Sequence, residues 1–177
     1  MARLTGMEID PEAVNYITSL SQGLPFYTHM LALHCGRSAI QRGSWRIEKV
    51  DIESGTKRSI EATSQSMRDA FIRATSSPQK DNLYTEVLMA CAQANRDELG
   101  YFSAAAIREP FRKLTGKPYD IENYVQHLNK FCSDERGAVL QKTGVKHRYR
   151  YRFSNPLMQP FVLLRGLADG RIGLEQL

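Results

Sequence analysis

Apolar residues recur at three- and four-residue spacing over most of the chain, and the pattern changes to strict alternation only near residue 150. The first helical run follows Asp10, a capping residue type, with Pro11 at the first helical position. Val14, Ile17 and Leu20 carry it, and Gly23 with Pro25 stops it. A second helix is expected over "FYTHMLALHCGRSAIQ", ending before Gly43. From Ser44 to Thr56 the pattern is mixed. Trp45 and Ile47 share one parity, Val50 and Ile52 the other, which fits a short strand or an extended connection, and "ESGT" reads as a turn. A third helix is expected over "RSIEATSQSMRDAFIRA". The polar stretch "TSSPQKDN" then marks a boundary, dividing the chain into a helical subdomain, 1–77, and a second domain, 78–177.

The second domain opens with "LYTEVLMACAQAN", capped by Asp81 or Asn82, with Leu83, Val87, Leu88, Cys91 and Ala92 on its apolar face. Ser103 caps a further helix through "AAAIREPFRKLTG", in which Pro110 demands a kink or a first-turn position. Asp120 caps "IENYVQHLNKFCSD", whose Ile121, Tyr124, Val125, Leu128, Phe131 and Cys132 follow the amphipathic spacing closely. Two strand-like stretches, "AVLQKT" and "HRYRYRF", come next and read as a hairpin over 138–153 joined through "GVK". In the second of them His147, Tyr149, Tyr151 and Phe153 share one parity, and Arg148, Arg150 and Arg152 the other. A strand would turn the rings to one face and the guanidinium groups to the opposite face. A last helix, "PLMQPFVLLRGLA", starts at Pro156 behind Ser154 or Asn155.

The expected fold class is therefore mainly α. Three helices followed by a β-hairpin is the order of a winged helix-turn-helix domain, in which the third helix enters the DNA major groove and the hairpin touches flanking phosphates.

Charge sharpens this reading. Residues 1–99 hold 11 Lys/Arg against 12 Asp/Glu, and residues 100–177 hold 13 against 7, so the net +5 lies wholly in the later part. A polyanion is the expected partner, with double-stranded DNA the leading choice. The row Arg148, Arg150 and Arg152, with Lys142, Lys146 and His147 in the same hairpin, forms the candidate phosphate-contacting set. Edge strands also use positive charge to block aggregation, which is the competing account of that row. On helix 121–133 the polar residues Asn123, Gln126, Asn129 and Lys130 lie opposite the apolar stripe. Asn and Gln can bond adenine edges, and Lys can reach guanine or phosphate. Glu122 would repel phosphate but suits a helix N-terminus.

The stretch "GMEIDPEAVNYITSLSQGLPFYTHMLALHCGRSAI" resembles the helical lid of AAA-type ATPases of the origin-recognition and initiator kind. "LSQGLP" supplies the Gly-x-Pro-like turn that such lids carry before a long helix, and a winged-helix domain follows the lid in those proteins. The resemblance implies an AAA-type helical lid bundle followed by a winged-helix domain with a C-terminal wing. Two departures stand out. No Gly-x-x-x-x-Gly-Lys-Ser/Thr occurs, so the chain is not expected to be an enzyme by itself, and ATP and magnesium are expected only with the ATPase core that it lacks. After the turn come Phe26, Tyr27, Thr28 and His29, where such lids place a sensor arginine. His29 is the candidate substitute, against a packing or capping role. The AAA core of a longer parent protein is then a further expected partner.

Other chemistry has little footing. His29 and His34 are five residues apart, which misses the four-residue spacing of paired helical ligands, and His127 and His147 stand apart. Cys35, Cys91 and Cys132 sit in apolar helical patterns and are expected to be buried free thiols. No window is apolar enough to span a bilayer, and "MARLTGMEIDPEAV" lacks an apolar core of signal-peptide length, so a cytoplasmic location without membrane contact is expected. The alternative function is a protein-interaction or homo-oligomerisation module. It would use winged-helix surfaces and the apolar helix with Phe161, Val162, Leu163 and Leu164.

Overall fold

A computed structural model describes residues 6–79, 82–145 and 148–177, which contain eight α-helices and five short strands. The chain divides into two compact units: Met1–Thr63 with Leu163–Leu177, and Ser64–Val162.

In the first unit β1 (Glu8–Ile9) pairs in parallel with β2 (Arg46–Ile47), in the register Glu8↔Arg46 and Ile9↔Ile47. Helix α1 (Pro11–Ser21) starts behind Asp10 with Pro11 at its first position, as its sequence indicates. Asp10 does not cap through its side chain; its carboxylate accepts from the guanidinium of Arg46, which ties the start of α1 to β2. Gln22 and Gly23, both at positive φ, turn the chain, and α2 (Pro25–Gln41) follows with Pro25 at its first position.

The mixed segment resolves differently from its expected form. After the two-residue β2, helix α3 (Lys49–Ala62) runs straight through "ESGT". Glu48 and Asp51 form a capping box at its start, which fixes the entry point. Gly55 is a contact residue here and not a turn residue. A Cβ on it would lie 2.9 Å from the backbone N of Cys35 and 3.1 Å from its Cα, so α2 and α3 approach as closely as they do only because position 55 has no side chain. The expected helix over residues 58–74 is divided at Thr63 and Ser64, which are extended, and α4 (Gln65–Thr75) is a separate helix belonging to the second unit.

The second unit continues with α5 (Tyr84–Gln93), β3 (Phe102–Ser103), a 3-10 turn at Ala104–Ile107, α6 (Arg108–Thr115) and α7 (Ile121–Phe131). A second 3-10 turn, Asp134–Arg136, leads to β4 (Leu140–Thr143) and β5 (Arg150–Phe153). Pro110 falls in the first turn of α6, where its missing N–H costs nothing. The strands form one antiparallel sheet in the order β3-β5-β4, with Phe102 opposite Tyr151 and Leu140 opposite Phe153. Gly144 makes the hairpin bend: its φ is +96°, and a Cβ there would stand 2.7 Å from the Arg148 carbonyl. The core gathers Leu88, Cys91, Ile107, Phe111, Tyr124, Leu128, Phe131, Tyr151 and Phe153. Phe111 meets Tyr124 edge-on at 5.4 Å and Phe102 stacks on Tyr151 at 6.1 Å, arrangements that aromatic quadrupoles favour.

Helix α8 (Met158–Ala168) begins two residues later than Pro156, because Asn155 first turns the chain by accepting from the Leu157 N–H at 3.0 Å. Phe161, Val162, Leu163 and Leu164 are all buried within the chain, so the apolar surface named for a partner or a second copy is not exposed. No helix among the described residues is long and apolar enough to cross a membrane.

Candidate nucleic-acid interface

Helix α7 is held by both ends and by its apolar face. The Asp120–Asn123 capping box secures its start, with the Asp120 N–H donating to Asn123 Oδ1 at 2.9 Å. Tyr124 donates its hydroxyl to the Ala104 carbonyl at 2.9 Å, and Leu128 and Phe131 are buried beneath it. His127 sets its ring edge-on to Tyr84 at 4.8 Å. Burial, helped by Lys130, lowers the pKa of His127 and keeps the ring neutral near physiological pH.

The solvent side of α7 carries Asn123, Gln126, Asn129 and Lys130, all exposed. Their freedom differs. The Asn123 carbonyl is committed to the cap. Asn129 Oδ1 accepts from Lys142 Nζ at 3.2 Å, and the Lys142 ammonium also lies 4.9 Å from the Tyr149 ring centre, so one lysine ties the end of α7 to the hairpin. Lys130, an exposed residue, reaches over the Tyr84 ring at 5.9 Å. Gln126 has no hydrogen-bond partner among the described residues.

The arginine row is divided by its neighbours. Arg150 pairs with Asp97 at 3.0 Å and donates to the Tyr101 carbonyl. Arg152 donates to Gln141 Oε1 at 3.1 Å and stacks on the Tyr101 ring at 4.8 Å. Arg148 is exposed and its guanidinium has no ion pair among the described residues. Lys146 and His147 lie outside the described residues, as does Asp81. On the ring side of β5, Tyr151 and Phe153 are buried but Tyr149 is only half-buried. The structure thus brings Asn129, Lys142 and Arg148 together around Tyr149, and turns Arg150 and Arg152 to internal partners.

Between α7 and the hairpin runs a groove of about 690 Å³. Ile121, Val125, Tyr149 and Tyr151 give it an apolar floor, and Glu122 and Arg148 also line it. Tyr149 shares the parity of the buried Tyr151 and Phe153, so alternation alone does not set it apart as a groove residue. Net charge is confined to this unit. Ser64–Val162 holds 15 Lys/Arg against 10 Asp/Glu, whereas the other unit holds 9 of each.

Arg136 carries no functional expectation and proves to be structural. It is 9% exposed, stacks on Tyr84 at 3.8 Å, and donates to the carbonyls of Ala74 and Ser76, closing the C-terminal end of α4. The thiols are free. Cys35 and Cys91 are buried and Cys132 is partly exposed, in contrast to the expected full burial of all three. Burial pushes Cys35 up to about 12 and Cys132 to about 11, which makes both poor nucleophiles at neutral pH. Among the described residues no group of three or more His, Cys, Asp or Glu is placed to hold a metal ion. Comparison with protein-family models, with curated proteins and with solved structures returns no match for this chain.

Proposed function

We propose that the second unit is a winged helix-turn-helix domain that binds double-stranded DNA, with α7 as the recognition helix and the β4–β5 hairpin as the wing. The observation that carries this reading is the order α5, β3, α6, α7, β4, β5 with the sheet order β3-β5-β4, in the unit that holds all the net positive charge. Gln126, Lys130 and Arg148 are the first contacts, because none of their side chains has a hydrogen-bond or ion-pair partner among the described residues. Lys142 sets the angle of the wing against the helix. Arg150 and Arg152 contribute to the field, and Asp97 offsets the first of them. In the same reading the first unit is a lid of AAA type. Nucleotide chemistry then belongs to a core supplied by a longer parent, and this chain alone does not hydrolyse ATP.

Titration of labelled duplex at several salt concentrations tests the proposal. The double variant Lys130→Ala/Arg148→Ala should weaken binding and reduce the salt slope by about 2, at roughly 0.9 per phosphate contact. Unchanged affinity and slope in that variant would remove the interface from consideration.

A second reading, docking of a protein segment, is favoured by the apolar floor of the α7–hairpin groove. Light scattering after size exclusion, together with absence of duplex binding at low salt, would select it.

A further inference from the structure

Helix α2 is apolar on two faces. One face buries Tyr27, Leu31, Cys35 and Ala39 against α1 and α3, each at most 1% exposed. The opposite face carries Phe26, His29, Leu33, Arg37 and Ile40, all exposed. Phe26, Leu33 and Ile40 are 55, 39 and 55% exposed. They recur at heptad spacing, so they form one stripe about 21 Å long. Isolated apolar residues are ordinary on a protein surface. An aligned row on a helix that already has a buried face is not, and such rows mark contact surfaces.

The exposed face is also self-complementary about Leu33. Phe26 and Ile40 stand seven residues before and after it, and His29 and Arg37 stand four residues before and after it. We propose that this face pairs with the same face of a second copy of the chain, antiparallel, with Leu33 on the two-fold axis. That symmetry sets Leu33 on Leu33 and each Phe26 on Ile40 of the second copy. It also brings each Arg37 level with His29 of the second copy, whose neutral ring has a nitrogen able to accept. Charge selects this orientation. Helix α2 contains no Asp or Glu, and Arg37 has neither a hydrogen bond nor an ion pair among the described residues. A parallel pair would set the two Arg37 guanidinium groups at one level, whereas the antiparallel pair separates them. A strip of about 21 by 10 Å is well below the roughly 800 Å² per partner of a stable complex, so the association is reversible and concentration-dependent. The face lies in the first unit and shares no residue with α7 or the hairpin, so the proposal does not depend on the duplex reading.

Sedimentation equilibrium of the full chain, from about 5 to about 500 µM, tests the proposal. A reversible equilibrium between monomer and dimer is expected. Leu33→Glu sets two carboxylates against each other at the axis and should weaken the dimer at least about a hundredfold. Because Leu33 is exposed, thermal unfolding of that variant should match the wild type. His29→Glu should strengthen the dimer by up to about tenfold, since each new carboxylate meets Arg37 of the second copy. In a parallel pair the same two carboxylates would stand at one level and weaken it. A dimer indifferent to Leu33→Glu, or one weakened by His29→Glu, overturns the proposal. So does a chain that stays monomeric at the highest concentration, which leaves the stripe to a different protein.

Discussion

Replacement of Gly55 by alanine sets two opposing effects against each other at one atom. A methyl group at this helix-interior position should add about 1 kcal/mol of helix propensity. The same methyl would stand 2.4 Å from Cys35 Sγ, 2.9 Å from Cys35 N and 3.1 Å from Cys35 Cα. The sulfur can rotate away, but the backbone of α2 cannot, so α2 and α3 must separate. Overpacking costs typically 1–3 kcal/mol and occasionally more, and contact with backbone belongs at the upper end. The net expectation is a loss of about 2 kcal/mol, or about 4–8 °C in melting temperature for a chain of this size. Gly36 in α2 is the internal control. A Cβ there meets nothing nearer than Met7 Sδ at 3.6 Å, which is ordinary contact, so Gly36→Ala should be neutral or stabilise by up to about 1 kcal/mol. Urea and thermal unfolding of both variants beside the wild type decide the matter. Equal or greater stability in Gly55→Ala would refute the close approach of α2 and α3.

Three further outcomes are expected. Arg136→Met should destabilise the second unit by about 2–4 kcal/mol, since two backbone carbonyls lose a charged donor, and Arg136→Lys should recover part of that in urea unfolding. His34 and His127 both have pKa values lowered chiefly by burial, so the folded chain binds fewer protons than the unfolded one. Their contribution is complete above about pH 6.5 and is lost as pH falls below it, so melting temperature should drop from pH 7.5 to 5.5, and a His34→Gln/His127→Gln variant should flatten that limb. Asp51, 1% exposed, is opposed by burial, but its hydrogen bonds with Arg42 and the Glu48 N–H prevail and lower its pKa. Its support is present above about pH 4 and lost under more acid conditions, and Asp51→Asn should remove that part of the acid transition.

Local signals carried much of the architecture. Pro11 opened its helix, Gly23 with Pro25 marked where that helix ends, Asp120 capped α7, and alternation around Tyr151 and Phe153 marked β5, because each depends on residues within a few positions. Gly55 misled for the opposite reason: its role is set by Cys35, twenty residues away, and a glycine inside a polar tripeptide looks like a turn. The break at Thr63 and Ser64 has neither proline nor glycine, and the two-residue β1–β2 pairing is too short to have a period. Of the candidate interface, the faces of α7 and β5 were legible, but the partners were not. That Asp97, Tyr101 and Gln141 would engage Arg150 and Arg152 depends on sheet register and loop packing, which alternation does not encode. Arg96 and Gln159 both donate to the Ala92 carbonyl from positions more than sixty residues apart, and nothing near either residue announces it.

The division of the chain has a consequence for synthesis. The first unit is assembled from both ends of the sequence, with Ser64–Val162 intervening. A nascent chain leaving the ribosome exposes α1 to α3 first, yet that unit lacks its last piece until Leu163–Leu177 emerges. The intervening unit has all of its own residues earlier and can close on local contacts. Order of emergence and order of completion are therefore reversed, and the first unit waits for its last piece for the translation time of about a hundred residues, some 5–20 s at ordinary elongation rates.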